Sequence, residues 1–294
     1  MNSSFFLIPS PVQAIEDDFL LEKKIKLFIK REDLIHPEVS GNKYRKLKYN
    51  LLEAKRLSCD TLLTFGGAFS NHIYAVAAAG KYFGFKTIGI IRGEKHEPLN
   101  ASTLIFAESC GMELFYVSRE KYKEKEILAD FNKKNIYVIP EGGTNALAIK
   151  GVAEMLDESF DAIRPNFVAC AIGTEGTAAG ILESLKGKSA KLLGFSALKN
   201  GSFLKELIHE MVNYDEEQFI LNTDYHFGGY AKTKPALIDF IRKFELEHPQ
   251  ILLEQVYTGK MLFGIYDRIT QNMFPENSTI LAIHTGGLQG RRLV

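Results

Sequence analysis

The sequence predicts an α/β protein whose sheets are mainly parallel, and three features predict it. Short apolar runs alternate with helix-length patterns from about residue 60 onward, which is the signature of βαβ units. Four of those runs close on glycine and polar residues, and open α/β sheets gather ligands at such carboxyl ends. The 294 residues, 46% hydrophobic and 24% charged, suffice for one large or two small domains with ordinary cores.

The elements follow in order. FLLEKKIKLFIKRED reads as a two-stranded antiparallel hairpin, and KYRKLKYNLLEAKRL as a helix whose apolar positions 44, 47, 51, 52 and 54 form a buried face. Strands are expected at 60–67, 86–93, 112–118 and 135–143, separated by helices such as SNHIYAVAAAGKYFG and NASTLIFAESCG. A helix over NALAIKGVAEMLDESF leads into a second set of strands at 166–173, 191–198 and QFILNTDYH. Two more helices, PALIDFIRKFELEH and GKMLFGIYDRI, precede the last strand at 278–287. No linker rich in Pro, Gly or Ser divides the chain, yet two sets of βα units imply two domains. Residues 47–152 are expected to form the smaller one, and residues 1–46 with 153–294 the larger.

Composition narrows the function. Lys plus Arg and Asp plus Glu both number 36, so no net field recruits nucleic acid or an anionic membrane. An anionic ligand has to be held by local geometry. Cys59, Cys110 and Cys170 lie far apart with no CxxC pair, which fits reduced thiols in a cytoplasmic protein and calls for no metal. The N-terminus lacks a basic segment followed by a long apolar run, and no stretch approaches the roughly 18 apolar residues of a membrane span. The expectation is a soluble, cytoplasmic protein acting on a small molecule.

The four glycine-bearing strand ends are GGAFSNH (66–72), PEGGTN (140–145), GTEGTAAG (173–180) and HTGGLQG (284–290), and together they point to a shared cleft. GTEGTAAG follows a strand and opens a helix. Gly173 and Gly176 let backbone N–H groups turn outward, Thr174 and Thr177 add hydroxyls, and the helix start adds positive potential, which makes a phosphate cup. The alternative is a strand-to-helix turn that binds nothing. The motif is neither a Walker loop nor GxGxxG.

SGNKYRKL (40–47) is the second signal. Ser40 or Asn42 can cap the helix. Lys43 then falls in the first turn, against the dipole, with Arg45 and Lys46 crowding it. Nearby positive charge lowers an amine pKa and frees its lone pair, as a Schiff-base nucleophile needs. The alternative is a solvated basic face. In GGAFSNH, Ser70 can hold a carboxylate or cap a helix, Asn71 can donate to a phenolic oxygen or serve the turn, and His72 at a strand end is more often structural. Tyr230 in GGYAKTKP and Tyr257 in VYTGK stand beside glycines as acid–base or positioning groups, or as packing. Thr285 can bond a ring nitrogen, or is an ordinary turn hydroxyl.

Taken together, IKREDL (29–34), SGNKYRKL, GGAFSNH, PEGGTN, GTEGTAAG, GGYAKTKP, VYTGK and HTGGLQG resemble, in order and over nearly the whole chain, the D-cysteine desulfhydrases and 1-aminocyclopropane-1-carboxylate deaminases. These are tryptophan-synthase-β-like, fold type II pyridoxal-phosphate enzymes. The resemblance implies three-layer α/β domains with pyridoxal 5'-phosphate in the cleft between them, and a homodimer. It also implies roles. Lys43 carries the Schiff base and moves the Cα proton. Asn71 meets the cofactor's 3-hydroxyl oxygen, and Thr174, Glu175, Gly176 and Thr177 hold the phosphate. Thr285 faces the pyridine nitrogen. Ser70, Asn71, His72, Tyr257 and Thr258 surround the substrate, with Ser70, Tyr230 and Tyr257 sharing in catalysis. The deaminases typically carry Glu where Thr258 stands, so the resemblance implies α,β-elimination of D-cysteine or a related amino acid ahead of cyclopropane opening. A non-catalytic phosphometabolite-binding protein is the alternative from another class.

Overall fold

A computed structural model describes residues 5–95, 101–124, 126–131, 134–157 and 159–292. Its strands are β1 (Val12–Ile15), β2 (Lys26–Lys30), β3 (Thr61–Gly66), β4 (Lys86–Arg92), β5 (Met112–Val117), β6 (Ile136–Ile139), β7 (Phe167–Ile172), β8 (Lys191–Ser196), β9 (Phe219–Asn222) and β10 (Thr279–Ile283). The α-helices are α1 (Asp18–Glu22), α2 (Asn42–Arg56), α3 (Asn71–Phe83), α4 (Ser102–Ser109), α5 (Arg119–Glu124), α6 (Ala146–Asp157), α7 (Phe160–Ile163), α8 (Gly176–Leu185), α9 (Leu204–Met211), α10 (Pro235–Glu247) and α11 (Thr258–Thr270).

Two sheets form, in the orders β1-β2-β10-β7-β8-β9 and β5-β4-β3-β6. Among the described residues every pairing is parallel except β1 with β2, which bears out the α/β class. Side chains alternate across each sheet. In the larger one Leu27, Ile29, Ala169, Leu193, Phe195 and Ile280 pack with α10 and α11 residues such as Ile241 and Ile265. The opposite face, with Val168, Cys170, Leu192 and Leu281, packs with Val152, Ile181 and Ile208 of α6, α8 and α9. Leu62 and Ile139 of the smaller sheet meet α2, α3 and α4. Leu63, Phe65 and Ile90 face the other way, toward Tyr122 of α5. Both sheets are therefore the middle of three layers.

The N-terminal hairpin differs from the sequence expectation. FLLE is not a strand: Asp17 accepts from Phe19 N and Leu20 N and caps α1 over it, as an aspartate before an apolar turn favours. The antiparallel partner of β2 is β1, which lies before that helix. On α2, Tyr44, Leu47, Leu51 and Ala54 are buried as expected, but Leu52 is 43% exposed.

Strand order explains why the glycine motifs converge. In the smaller sheet β4 and β5 lie on one side of β3 and β6 on the other. In the larger, β8 and β9 lie on one side of β7 and β10 on the other. Each pair β3/β6 and β7/β10 is a point where the connections diverge and leave a crevice at the carboxyl ends. GGAFSNH and PEGGTN follow β3 and β6; GTEGTAAG and HTGGLQG follow β7 and β10.

Candidate active site

The four strand ends meet around the start of α2. Gly41, φ +62°, lies so close to the Thr285 carbonyl that a Cβ there would sit 2.0 Å from its oxygen. Asn42 Nδ2 donates to Thr177 Oγ1 at 2.8 Å. PEGGT rests on the 173–177 turn: a Cβ on Gly142 would come 2.7 Å from Thr174 Oγ1, and one on Gly176 2.8 Å from Thr144 Oγ1. HTGGLQG meets GGAFSNH, with Gln289 Nε2 donating to Asn71 Oδ1 at 2.7 Å. The result is a cleft of about 930 Å³ lined by Asn42, Lys43, Ser70, Asn71, His72, Thr174, Thr177, Leu198, Tyr230, Tyr257 and Thr285. That is the size of a small-molecule site.

Lys43 is half-buried in the second position of α2. Burial lowers its pKa to about 8, because a confined ammonium loses hydration. Of the two basic neighbours expected to crowd it, Arg45 does not. Arg45 is buried and donates to Glu32 at 2.9 Å through both Nε and Nη2, which neutralises it. Lys46 points beneath the 173–177 turn, where its Nζ donates to Gly142 O (3.1 Å), Thr144 Oγ1 (3.3 Å) and Thr174 Oγ1 (3.3 Å). Burial and the charge of Lys43 push the Lys46 pKa well below the usual lysine range, and Glu175 pulls it back. The basic run is therefore no solvated face. Nor does Ser40 or Asn42 cap α2: Gly41 holds the cap position without a side-chain bond, Ser40 donates to Asp33 O, and Asn42 serves Thr177.

The 173–177 turn has the attributes of an anion seat. Glu175 is the α8 N-cap residue and its side chain makes no capping bond, so the first-turn N–H groups are left to other acceptors. Thr174 and Thr177 present hydroxyls to the same cleft, and the Lys46 amine lies behind the turn. Gly173 packs under Tyr257, whose Cε1 a Cβ would meet at 2.6 Å. Cys170 is buried nearby and its thiol is pushed up to about 12 by burial, so it stays protonated and inert. Cys59, Cys110 and Cys170 are all free.

Ser70 caps α3, accepting from His72 N and Ile73 N at 3.3 Å each. Its hydroxyl proton remains available to the cleft. The His72 ring is buried against Thr64, Nε2 to Oγ1 2.8 Å. Burial, then the charges of Lys43 and Lys46, hold it well below the usual imidazole range, so it is neutral and chiefly structural. Tyr257 pairs with Tyr230, ring centroids 6.1 Å apart. Burial and then its neighbour's phenol raise its pKa well above the ordinary value, so it keeps its proton at neutral pH.

Thr258 departs from its expected place. It is fully buried and is absent from the lining of the cleft. Its hydroxyl donates to Glu254 Oε1 at 3.1 Å. The cause is the helix start: Glu254 caps α11, accepting from the N–H groups of Val256, Tyr257 and Thr258, and draws residue 258 inward. Sequence reasoning missed Asn42 as the partner of Thr177, Lys46 as the amine beneath the 173–177 turn and Glu254 as the acceptor at the start of α11. Lys46 had a usable signal, since it stands three residues after Lys43 on the same helix side.

Over residues 9–286 the chain matches the family model described as pyridoxal-phosphate dependent enzyme, and it belongs to that family. It is 33% identical to a putative 1-aminocyclopropane-1-carboxylate deaminase of Thermotoga maritima, with 100% of both chains covered. It is 32% identical to the mitochondrial bifunctional D-cysteine desulfhydrase/1-aminocyclopropane-1-carboxylate deaminase of Arabidopsis thaliana, covering 90% of this chain and 73% of that one. Its fold superposes on the crystal structure of a deaminase homologue with a TM-score of 0.83 at 27% identity, covering 97% and 91% of the two chains. These likenesses set aside the non-catalytic alternative. Among the described residues, no helix is long and apolar enough to cross a membrane.

Proposed function

We propose that this chain eliminates the β substituent of D-cysteine or a related small amino acid, releasing pyruvate, ammonia and hydrogen sulfide. The observation that carries the reading is that the Lys43 side chain and the 173–177 turn line one cleft, with Asn42 bonded to Thr177 between them. In this reading the α8 N–H groups and the hydroxyls of Thr174 and Thr177 hold the cofactor phosphate, with Glu175 and Gly176 shaping the turn. Lys43 is the attaching amine. Asn71 serves the 3-hydroxyl oxygen and Thr285 the ring nitrogen.

Pyridoxal 5'-phosphate supplies, when bound, an electron sink for the pair left at Cα. The chain does the rest. Lys43, with a pKa of about 8, is about one-tenth free amine at pH 7, against about one part in three thousand for an ordinary lysine. It can take the Cα proton as general base. The Ser70 hydroxyl donates to the substrate carboxylate. Tyr257 holds a proton that it can give to the departing sulfur, and Tyr230 keeps that phenol in place. The released enamine takes up water to yield pyruvate and ammonia.

Ring opening of 1-aminocyclopropane-1-carboxylate to 2-oxobutanoate and ammonia is the second reading, supported by the names of the relatives. Thr258, where the deaminases carry Glu, orders it second. Because the Thr258 hydroxyl bonds Glu254, this position would act through the seat of Tyr257 rather than by touching substrate. Residues 47–152 are proposed to move as the smaller domain and close over the cleft, excluding water. Both edges of that segment fall inside α2 and α6, two helices that pack on each other. A homodimer in the cytoplasm completes the proposal.

The test is a panel of D- and L-amino acids and 1-aminocyclopropane-1-carboxylate scored for ammonia, pyruvate and 2-oxobutanoate. Pyruvate and sulfide from D-cysteine are expected. 2-Oxobutanoate from the cyclopropane with no pyruvate from any cysteine would reverse the ordering.

A further inference from the structure

Lys260 stands three residues after Tyr257, in the first turn of α11. It is buried, and its Nζ donates to the carbonyls of His226 at 2.8 Å and Gly229 at 2.9 Å. The helix gains nothing from this charge, because a helix N-terminus disfavours a cation. Burial of an ammonium is costly unless its donors are used. What the charge serves is the loop that carries Tyr230. Phe227, Gly228, Gly229 and Ala231 all have positive φ, at 53°, 105°, 121° and 54°, a conformation that two non-glycine residues adopt only under constraint. The loop's own turns close on the same carbonyls, Gly229 N on His226 O and Lys232 N on Gly229 O. From the other side Glu254 caps the turn that carries Tyr257. A carboxylate and an ammonium thus bracket the two tyrosines.

We propose that Lys260 is a positioning residue: its ammonium clasps the 226–230 loop to the first turn of α11, so that Tyr230 and Tyr257 face the cleft as one fixed pair. This rests on the cleft being the substrate site. The clasp's own bonds go only to the His226 and Gly229 carbonyls and reach neither Lys43 nor a polar group of the 173–177 turn, which Tyr257 meets only by packing on Gly173; its loss therefore acts on substrate turnover before cofactor binding.

The experiment uses holoenzyme of the wild type, Lys260→Met, Lys260→Arg, Tyr230→Phe and the Lys260→Met/Tyr230→Phe double variant. It reads amide hydrogen exchange at 226–231, bound-cofactor absorbance, and kcat and KM separately. Lys260→Met should speed exchange of the loop and lower kcat/KM by about tenfold, as the loss of charge-assisted bonds implies, with cofactor absorbance unchanged. Lys260→Arg should restore most of both. In the Tyr230→Phe background the Met substitution should cost at most about twofold more, because the two changes share one route. Multiplying losses, or unchanged exchange in Lys260→Met, would overturn the proposal. The wild type alone also tests it: a loop that exchanges freely beside a protected α11 first turn contradicts the clasp even where Lys260→Met does not fold. A wild type without bound cofactor would count against the function proposed above and leave the loop measurement readable.

Discussion

Asn42 and Thr177, 135 positions apart in sequence, are joined by a 2.8 Å side-chain hydrogen bond. The bond fastens the residue beside Lys43 to the first turn of α8. It ties the start of α2 to the start of α8 and so fixes the spacing between Lys43 and the 173–177 turn. Asn42→Ala should weaken cofactor binding by about five- to tenfold, the worth of one net hydrogen bond, with little change in thermal stability. Equilibrium titration with pyridoxal 5'-phosphate checks it; an unchanged affinity would show the bond to be incidental.

Gly41 has no room for a side chain. Gly41→Ala combines φ +62° with a Cβ 2.0 Å from the Thr285 carbonyl oxygen, and should destabilise by more than about 3 kcal/mol. Gly84 is a control, with φ +75° and open space around it; Gly84→Ala should cost about 1 kcal/mol. Denaturant unfolding of the two variants measures the difference.

Arg45 and Glu32 are both buried, at 1% and 0% side-chain exposure, and Ser10 Oγ also donates to Glu32. Arg45→Met leaves the carboxylate without its cation and should destabilise by about 3–5 kcal/mol. The double variant Arg45→Met/Glu32→Gln should recover part of that loss. Equal destabilisation of single and double variants would mean that packing, not charge, dominates.

Lys43 has a depressed pKa in the folded chain, about 8, against an ordinary value when unfolded. Between those two values the unfolded state binds more protons, so stability rises with pH across that window and is lost again as pH falls through about 8. Apoenzyme stability, compared with Lys43→Met, should therefore improve from pH 8 to 10. Parallel curves for the two proteins would mean that the amine is hydrated like any surface lysine.

The alternation of apolar runs and helices made the fold class legible, because buried parallel strands and covering helices have different lengths and periods. The glycine motifs revealed the cleft for the same reason: they mark strand ends, and strand order brings them together. The seat of Lys43 was legible in position but not in cause. A basic run does not disclose that Arg45 meets Glu32 and Lys46 turns beneath residues 142–144, since both partners are distant in sequence. Thr258 was placed by likeness to a motif, and Glu254 overrode it through a cap. FLLE reads as strand because it is too short for periodicity to separate the two forms, and the Asp17 cap makes it helix.

In the proposed function one amine, that of Lys43, attaches pyridoxal 5'-phosphate. Borohydride reduction of the purified, cofactor-loaded protein, followed by peptide mapping, tests it most directly. The yellow colour should be lost and a single pyridoxyl label should appear on Lys43, absent from Lys43→Ala. A label on Lys46 or another lysine, or none at all on a saturated protein, would contradict it.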